Sequence, residues 1–402
     1  MTATTVNVFL DDSDEPVPVG TAYIDTRRGT TTTTFEYRPD YMARPRSWSV
    51  SPDLSVAYGK ATTDHLPGAL ADSAPDRWGR RLIDKRNRVR TPSGATTTTM
   101  TEVDYLLGVS DLTRQGALRY STVDDPTFLA EGVTVPKLVS LPELLNASRQ
   151  VDRDTDDAAA IKVLLDAGSG SLGGARPKAS VQDDGSLLIA KFPHASDDWT
   201  VMAWEKTALD LAERADLRVP PRRLEPIGKD PVLLLERFDR DGDRRIPYIS
   251  AMTMLGSTDG VDSDYLELAE ALGDHGSDVV ADLEELWRRI AFSVAINNTD
   301  DHMRNHGFVF DRNGWKLAPA FDMNPNPDPG AERVTGIGGS IAPTDAHDAL
   351  MGVADAFRMN PRAASEAWDQ VREAVSHWDQ TARANGVSDP EIRRFEAVLT
   401  RY

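Results

Sequence analysis

Residues 168–193 read GSGSLGGARPKASVQDDGSLLIAKFP, a glycine-rich turn followed by the pattern of a β-hairpin. Asp184-Gly185 lies between alternating apolar residues, and this dipeptide is a strong signal for a two-residue hairpin turn. With that turn, Lys178 pairs with Lys191 on one face of the hairpin. Two ammonium groups in such positions are unfavourable unless an anion lies between them, so the register predicts a polyphosphate site. A turn one residue earlier would remove the pairing.

The glycine-rich turn adds backbone groups to this predicted site. Four glycines between 168 and 174 expose N–H groups that can cradle a phosphate, although no Gly-Lys-Ser/Thr sequence ends the turn as in a Walker loop. A flexible linker is the alternative. Lys191 lies in the apolar run IAKFP, where a lysine needs a partner. Glu205, on the next predicted helix, is the candidate partner, unless it is an ordinary surface glutamate.

Outward from the hairpin, strand patterns lie mainly in the first 240 residues and helical patterns dominate after them. The threonine run Thr30–Thr34 is predicted to be a strand, because β-branched residues favour strands. Helical periodicity appears at 75–90, 141–151, 158–168, 199–217, 262–297 and 345–402. The sequence therefore predicts an α+β fold with two lobes after an N-terminal domain.

A second stretch, AINNTDDHMRNHGF at 295–308, concentrates Asn, Asp and His just before another hairpin signal. A turn at Asn313-Gly314 is predicted to pair Asn305 with Asp322. An amide oxygen and a carboxylate are ligands that suit Mg²⁺ when phosphate and water complete the site. Asp300, five residues before Asn305, is then the candidate base. The same order of groups occurs in kinase catalytic loops.

Other interpretations fit these residues as well. The cluster is typical of turns whose side chains hydrogen-bond locally. His302 and His306 would bind a metal from one helix face, but the hairpin that follows argues against a helix. A metal-dependent phosphohydrolase would use Asp300, Asp301, His302 and Asp322. A non-catalytic pseudokinase that binds an antitoxin or repressor is a further class, which the intact Lys191, Asp300, Asn305 and Asp322 set argues against.

Composition narrows the function classes. The formal net charge is −19, which argues against nucleic-acid binding by this chain itself. Cysteine is absent, so a disulfide framework, a zinc ribbon and a thiolate nucleophile are excluded. The N-terminal residues do not form a secretory signal, and no apolar run reaches the length of a membrane span. We expect a cytoplasmic protein without a membrane segment.

Together these features resemble the HipA family of bacterial serine/threonine kinases, the toxins of HipBA-type toxin–antitoxin pairs. Each matching segment is weakly specific alone, but their order and spacing are specific and span essentially the whole chain. The segments are LPGALADSAPDRWGRRL (66–82), GVSDLTRQGALR (108–119), SLGGARPK (171–178), AKFP (190–193), LERFDR (235–240), NNTDDHMRNHGF (297–308) and LAPAFD (317–322).

The resemblance implies a two-lobed, protein-kinase-like fold. Its parts are expected to be a mostly β N-terminal subdomain at 1–122, a kinase N-lobe-like part with the glycine-rich turn at 123–240, and an all-helical C-terminal lobe with the catalytic loop and metal site at 241–402.

The resemblance also implies roles for individual residues. Asp300 is expected to be the catalytic base, with Asn305 and Asp322 as magnesium ligands. Lys191 is expected to hold the α and β phosphates, the turn to cover them, and residues 236–238 to meet adenine. The full set expected to contact ATP is Leu172, Gly173, Gly174, Ala175, Arg176, Pro177, Lys178, Lys191, Glu236, Arg237, Phe238, His302, Met303, Arg304, Asn305 and Asp322.

Regulation and partners follow from the same resemblance. Ser171, or Ser169 beside it, stands where autophosphorylation switches family kinases off. Arg176-Pro177 departs from the glutamine-glutamate pair that the family often has, and proline stiffens the turn, so this departure bears on loop movement. The expected substrate is a protein, typically an aminoacyl-tRNA synthetase, whose modification halts translation and leads to growth arrest or persistence. The expected partner is a small helix-turn-helix antitoxin, through which any DNA association would run.

Overall fold

The computed structural model describes residues 2–12, 15–27, 29–91, 99–128, 135–153, 156–311 and 313–402. The strands in these ranges are β1 (Thr2–Leu10), β2 (Val17–Arg27), β3 (Thr30–Tyr37), β4 (Lys60–Thr63), β5 (Leu118–Thr122), β6 (Lys178–Asp183), β7 (Ser186–Lys191), β8 (Arg222–Ile227), β9 (Asp230–Glu236), β10 (Arg240–Asp241), β11 (Arg244–Arg245), β12 (Tyr248–Ser250), β13 (Ser263–Asp264), β14 (Gly307–Asp311), β15 (Gly314–Leu317) and β16 (Thr335–Gly336).

The α-helices in the same ranges are α1 (Pro39–Met42), α2 (Gly68–Asp72), α3 (Arg77–Arg90), α4 (Glu102–Leu107), α5 (Leu141–Asp152), α6 (Ala158–Asp166), α7 (Val201–Arg214), α8 (Ala251–Met254), α9 (Tyr265–His275), α10 (Val279–Ala295), α11 (Ala346–Gly352), α12 (Pro361–Ser376), α13 (Trp378–Ala384) and α14 (Asp389–Leu399).

The chain divides into two compact units. The first contains Met1–Ser196 and Leu234–Ile249, and the second contains Asp197–Leu233 and Ser250–Tyr402. Each unit therefore draws on two separate segments of the sequence. The three-part division predicted at 1–122, 123–240 and 241–402 stays a prediction.

The first unit contains an antiparallel sheet with strand order β4-β3-β2-β1-β5. The threonine run predicted as a strand forms the beginning of β3, which confirms that prediction. Thr33 and Phe35 of β3 are buried, whereas Thr32 is exposed, because successive strand residues point to opposite faces of a sheet. One face of the sheet thus belongs to the core and the other faces solvent.

Helices α3 and α4 of the first unit confirm two further predictions. In α3, Trp78, Leu82 and Ile83 are buried at helical spacing, while most of the arginines lie on the opposite side. The sequence TPSGATTTTMTEVD (91–104) predicts a loop that ends in a helix cap, and Thr101 and Asp104 form a reciprocal capping box at the beginning of α4. Residues 92–98 of the predicted loop lie outside the described residues.

Helices provide most of the second unit. Leu286, Trp287 and Ile290 of α10 are completely buried, and each such side chain contributes about 1.5–3 kcal/mol relative to exposure. The β14–β15 hairpin follows α10 and the predicted catalytic loop. Strands concentrated in the first half and helices in the second make up the predicted α+β class. Because β12, β14 and β15 lie within 241–402, this part is mostly helical and not all-helical as expected. Within the described ranges, no helix has the length and apolar content that crossing a membrane requires.

Candidate functional site

Lys178 and Lys191 are paired residues of the β6–β7 hairpin, as the sequence predicted. The turn that sets this register is Asp184-Gly185, in which both residues have positive φ, 44° and 88°. A turn of this kind matches the twist of the two strands. Both lysines are buried. Two like charges therefore lie opposite each other within the first unit.

The glycine-rich turn before β6 is held closed by hydrogen bonds to other segments of this unit. The Gly174 N–H donates to Asp76 Oδ2 at 2.7 Å, and the Trp78 N–H donates to the Gly174 carbonyl at 3.3 Å. Lys178 Nζ donates to the Gly173 carbonyl. Gly174 has a φ of +97°, which favours glycine at this position. Asp76, which the sequence did not indicate as a site residue, thus engages one of the N–H groups predicted to cradle phosphate.

The remaining turn residues differ in exposure. Gly173 and Ala175 are exposed, Arg176 is half-buried, and Leu172 and Pro177 are buried. The predicted phosphate-covering segment therefore presents its middle to solvent and is anchored at both ends.

Both predicted autophosphorylation serines are buried. Ser171 is 3% exposed, and its hydroxyl lies 2.9 Å from the Thr113 hydroxyl. Ser169 is completely buried and its hydroxyl donates to the Lys178 carbonyl. Neither hydroxyl is accessible to a phosphoryl donor while the turn has this conformation. Modification of either serine requires the turn to open.

The segment predicted to meet adenine has a structural role as well. Arg237 donates from Nε and NH2 to Asp239 at 2.8 and 2.6 Å, and from NH1 to the Thr113 carbonyl at 2.6 Å. Burial alone raises the pKa of Asp239. The positive charges of Arg237 and Arg240 together have the larger, opposite effect, so this pKa lies well below its usual range. Glu236 is exposed and Phe238 is half-buried. The side chain of Arg237 therefore stabilises the fold through these hydrogen bonds.

Arg114 is a further buried residue that the sequence did not indicate as important. It lies in the segment 108–119, is completely buried, donates to the Ser73 carbonyl at 2.8 Å and stacks on Tyr120 at 4.7 Å. Burial lowers the pKa of its guanidinium to about 10. Its position next to Thr113 ties this segment to the glycine-rich turn.

The predicted catalytic loop lies in the second unit, directly after α10. Asn305 Nδ2 donates to the Asp300 backbone carbonyl at 3.0 Å. Because the amide nitrogen is used in this way, Oδ1 of Asn305 is the atom oriented to accept from a donor or to bind a cation. The two residues of the predicted D-x-x-x-x-N pattern are thus directly connected.

Asp301 connects the predicted catalytic loop to other segments of the second unit. Its Oδ2 accepts from Tyr265 at 2.6 Å and from Ser293 at 2.8 Å, and its carbonyl accepts from Thr335 at 2.6 Å. His306 Nε2 lies 3.0 Å from Oδ1. Burial alone raises the pKa of Asp301, but His306 and the hydroxyl of Tyr265 lower it to well below its usual range.

The register predicted for the second hairpin is wrong. Asp311 pairs with Gly314 and Phe308 with Leu317, which shifts the ladder by two residues from the pairing that would join Asn305 to Asp322. Asp311 Oδ1 accepts from the Asn313 N–H at 2.8 Å, and this local bond moves the turn towards Asp311. Asn305 and Asp322 both lie outside β14 and β15, so the hairpin ladder does not pair them.

The other predicted residues of the second unit have distinct environments. Asp322 has a φ of +58°, a left-handed backbone conformation that is uncommon outside glycine. Met303 is buried, His302 is half-buried, and Arg304 forms an ion pair with Asp259 at 2.9 Å.

Glu205 lies in α7 and is 1% exposed, so its interpretation as a surface glutamate is wrong.

The donor set suits magnesium rather than a metal that prefers imidazole. In the part of the chain that the structure describes, no three or more His, Asp or Glu side chains are grouped as metal ligands. Asn305 and Asp322, the predicted ligands, carry an amide oxygen and a carboxylate, which suit Mg²⁺ because that ion takes its other ligands from phosphate and water. His302 and His306 belong to no such group of three or more in these described residues.

Comparison with known families assigns most of the chain. Residues 170–378 match the HipA-like C-terminal domain, and residues 7–107 match the HipA N-terminal domain. The chain belongs to the HipA family.

A solved HipA structure confirms the predicted fold. HipA from the toxin–antitoxin complex of HipA, HipB and operator DNA of Shewanella oneidensis superposes with a TM-score of 0.67, covering 98% of this chain and 95% of that chain at 15% identity. The proinflammatory kinase CtkA of Helicobacter pylori gives a TM-score of 0.36 at 14% identity, over 56% of this chain and 93% of its own.

A curated relative is similar over part of its length. A protein of Haemophilus influenzae named "Putative kinase" is 27% identical over 161 residues, which are 36% of this chain. The chain spans about half the length of this relative, 46%.

Proposed function

We propose that this HipA-family chain is an ATP- and Mg²⁺-dependent protein serine/threonine kinase. The observation that carries the proposal is the facing pair Lys178 and Lys191, buried beside a turn rich in backbone N–H groups. Two buried ammonium groups at this spacing attract a polyanion. The nucleotide phosphates are the anion that a kinase-like fold requires.

The proposed roles follow the sequence prediction. Residues 172–178 and Lys191 hold the phosphates, residues 236–238 meet adenine, and residues 302–305 line the nucleotide. Engaging Gly174 in this way requires its N–H to exchange Asp76 for a phosphate oxygen. Asn305 and Asp322 are the proposed Mg²⁺ ligands, and the ion, when bound, neutralises charge on the transferred phosphoryl group.

Asp300 is the proposed general base. Its place in the loop is supported by the Asn305 side chain, which donates to its carbonyl. A carboxylate held near the acceptor hydroxyl takes its proton as phosphoryl transfer proceeds, and most of the rate enhancement comes from positioning and electrostatics.

The contacts of Asp301 disfavour the phosphohydrolase alternative. That mechanism uses Asp301 as a metal ligand, but its carboxylate already accepts from Tyr265 and Ser293 and contacts His306. The pseudokinase alternative requires loss of a catalytic group, and Lys191, Asp300, Asn305 and Asp322 are all present.

The partners are proposed from the family. The Shewanella structure contains HipB and operator DNA with HipA. For this chain we propose a cytoplasmic toxin with a small helix-turn-helix antitoxin, which provides contact with DNA. The substrate is proposed to be a translation component such as an aminoacyl-tRNA synthetase, with autophosphorylation of Ser171, or of Ser169, as the inactivating step.

The test is phosphate transfer from γ-labelled ATP with Mg²⁺ to candidate synthetases and to the chain itself, followed by phosphopeptide mapping. We expect Asp300→Asn to abolish transfer, whereas Asp379→Asn, an exposed substitution on α13, leaves it unchanged. ATP hydrolysis that is independent of an acceptor and survives Asp300→Asn would contradict the kinase proposal.

A further inference from the structure

Helix α7 is held along one side by the C-terminal helices of the second unit. At its N-terminal end, Glu391 Oε2 accepts from the Thr200 hydroxyl at 2.6 Å, from the Thr200 N–H at 3.1 Å and from Trp204 Nε1 at 3.1 Å. Thr200 is the N-cap residue of α7 but makes no capping bond to its own helix. The Glu391 carboxylate of α14 therefore accepts hydrogen bonds at the N-terminal end of α7, where the helix dipole also favours negative charge.

Aromatic packing reinforces this contact. The Phe395 ring of α14 stacks on Trp204 at 4.0 Å and meets Trp199 edge-on at 5.7 Å. Arg394 lies over the Trp199 ring at 4.6 Å. One face of α14 thus covers the first turn of α7.

Further along α7, the end of α13 continues the contact. Asn385 Nδ2 donates to Thr207 at 3.1 Å and to Asp210 at 2.9 Å, and its Oδ1 accepts from Lys206 at 3.1 Å. Arg214 at the end of α7 donates to Thr381 at 3.1 Å. Successive turns of α7 are therefore fixed by the segment 381–395.

The residue that makes this arrangement functionally relevant is Glu205. It follows Trp204 directly, is 1% exposed, and was predicted as the partner of the phosphate-binding Lys191. A rotation or axial shift of α7 would move Glu205 with it. The match to the HipA-like C-terminal domain ends at residue 378, so the segment 381–395 lies beyond the matched domain.

We propose that Glu391 is a positioning residue for the kinase reaction: it fixes the N-terminal end of α7 and thereby the position of Glu205. The inference rests on the proposed kinase function. In this role Glu391 contacts neither the nucleotide nor the acceptor. The C-terminal helix α14 affects nucleotide use through its contact with α7.

The test compares Glu391→Gln with Glu396→Gln, an exposed substitution on the same helix. We expect Glu391→Gln to lower kcat/KM for ATP about tenfold, a change that corresponds to about 1.4 kcal/mol. The KM for the protein acceptor is expected to stay unchanged, because Glu205 is proposed to act on the nucleotide through Lys191. Glu396→Gln keeps both constants. Thr200→Val, which keeps the side-chain volume but removes the hydroxyl donor, shifts kcat/KM in the same direction and serves if Glu391→Gln does not fold.

A double-mutant cycle with Glu205→Gln separates positioning from general destabilisation. We expect the double variant Glu205→Gln, Glu391→Gln to be no less active than Glu205→Gln alone, because both changes remove the same contribution, that of Glu205 to the reaction. Activity losses that multiply, or a folded Glu391→Gln chain as active as Glu396→Gln, would overturn the inference. A wild-type chain that transfers no phosphate would instead refute the proposed function and this inference with it.

Discussion

Lys178 and Lys191 lie directly opposite each other across the β6–β7 hairpin, and both are buried. The turn that fixes this register, Asp184-Gly185, lies six residues along the chain from each lysine. A local turn preference thus determines where two positive charges meet. This geometry supports the proposal that the hairpin binds an anion.

Lys191→Met is predicted to abolish nucleotide binding while the chain stays folded. ATP that binds only the folded state stabilises it by about 2.7 kcal/mol at 100 times its dissociation constant. We therefore expect ATP to raise the melting temperature of the wild-type chain and to leave that of Lys191→Met unchanged, as measured by differential scanning fluorimetry.

Lys229→Met is the matched control, since Lys229 is an exposed lysine beside β9. It is expected to respond to ATP like the wild type. An ATP-induced shift in Lys191→Met equal to that of the control would count against the proposed phosphate site.

Gly174→Ala is predicted to impair nucleotide use, because the turn needs its positive φ and the added methyl group meets Lys178 Nζ. Gly185→Ala imposes similar backbone strain in the hairpin turn, but no atom lies within 4 Å of its added methyl group. Each change is expected to cost about 1 kcal/mol of stability. Only Gly174→Ala is expected to raise the KM for ATP, by about tenfold, or roughly 1.4 kcal/mol of binding. Steady-state kinetics and urea unfolding on both variants measure the difference, and equal KM values would refute the role of the turn.

The two hairpins explain why one register was predictable and the other was not. In the first, Asp184 and Gly185 both adopt the positive φ that their dipeptide suggests. In the second, Gly314 has a φ of +146° and begins β15, with His275 and Ser277 within 3.4 Å of where its Cβ would lie. A tertiary contact and the Asp311 side chain therefore override the dipeptide signal.

The candidate catalytic residues form a compact sequence pattern, whereas the side chains that hold the glycine-rich turn and α7 could not be predicted. Asp76 acts on Gly174, and Glu391 on Thr200, across 98 and 191 positions of the chain. No local periodicity or turn preference encodes such pairs, since they form only when the surrounding elements fold. The α+β class was predictable because it depends on local periodicity alone.

Asp301→Asn is predicted to change the dependence of stability on pH. The pKa of Asp301 is lower in the folded state than its ordinary value of about 3.9, so its charge stabilises the fold above that value. This stabilisation is lost as the pH falls from about 4 towards the folded-state pKa. At pH 7 the variant is expected to be about 3 kcal/mol less stable than the wild type, since a buried charged partner is removed, and the difference narrows in acid.

Urea unfolding at several pH values between 2.5 and 7, chosen as roughly the range over which aspartate titrates, measures this narrowing. Asp379→Asn, on an exposed part of α13, is the control and should follow the wild-type curve. A constant difference between wild type and Asp301→Asn at all pH values would contradict the pKa direction derived for this carboxylate.

Asp322→Asn is predicted to weaken phosphoryl transfer without unfolding the chain. Asp322 has a φ of +58°, a conformation that asparagine tolerates nearly as well as aspartate, so the backbone is expected to be preserved. The substitution keeps an oxygen ligand but removes its charge. Because the metal neutralises charge in the transition state, we expect kcat to fall about 100-fold, or roughly 2.7 kcal/mol, and saturation to require more Mg²⁺. Nucleotide binding without Mg²⁺ should stay unchanged, since that binding is proposed to depend on the lysines of the first unit. Titration of activity and of nucleotide affinity with Mg²⁺ distinguishes these effects, and an unchanged Mg²⁺ requirement would exclude Asp322 as a ligand.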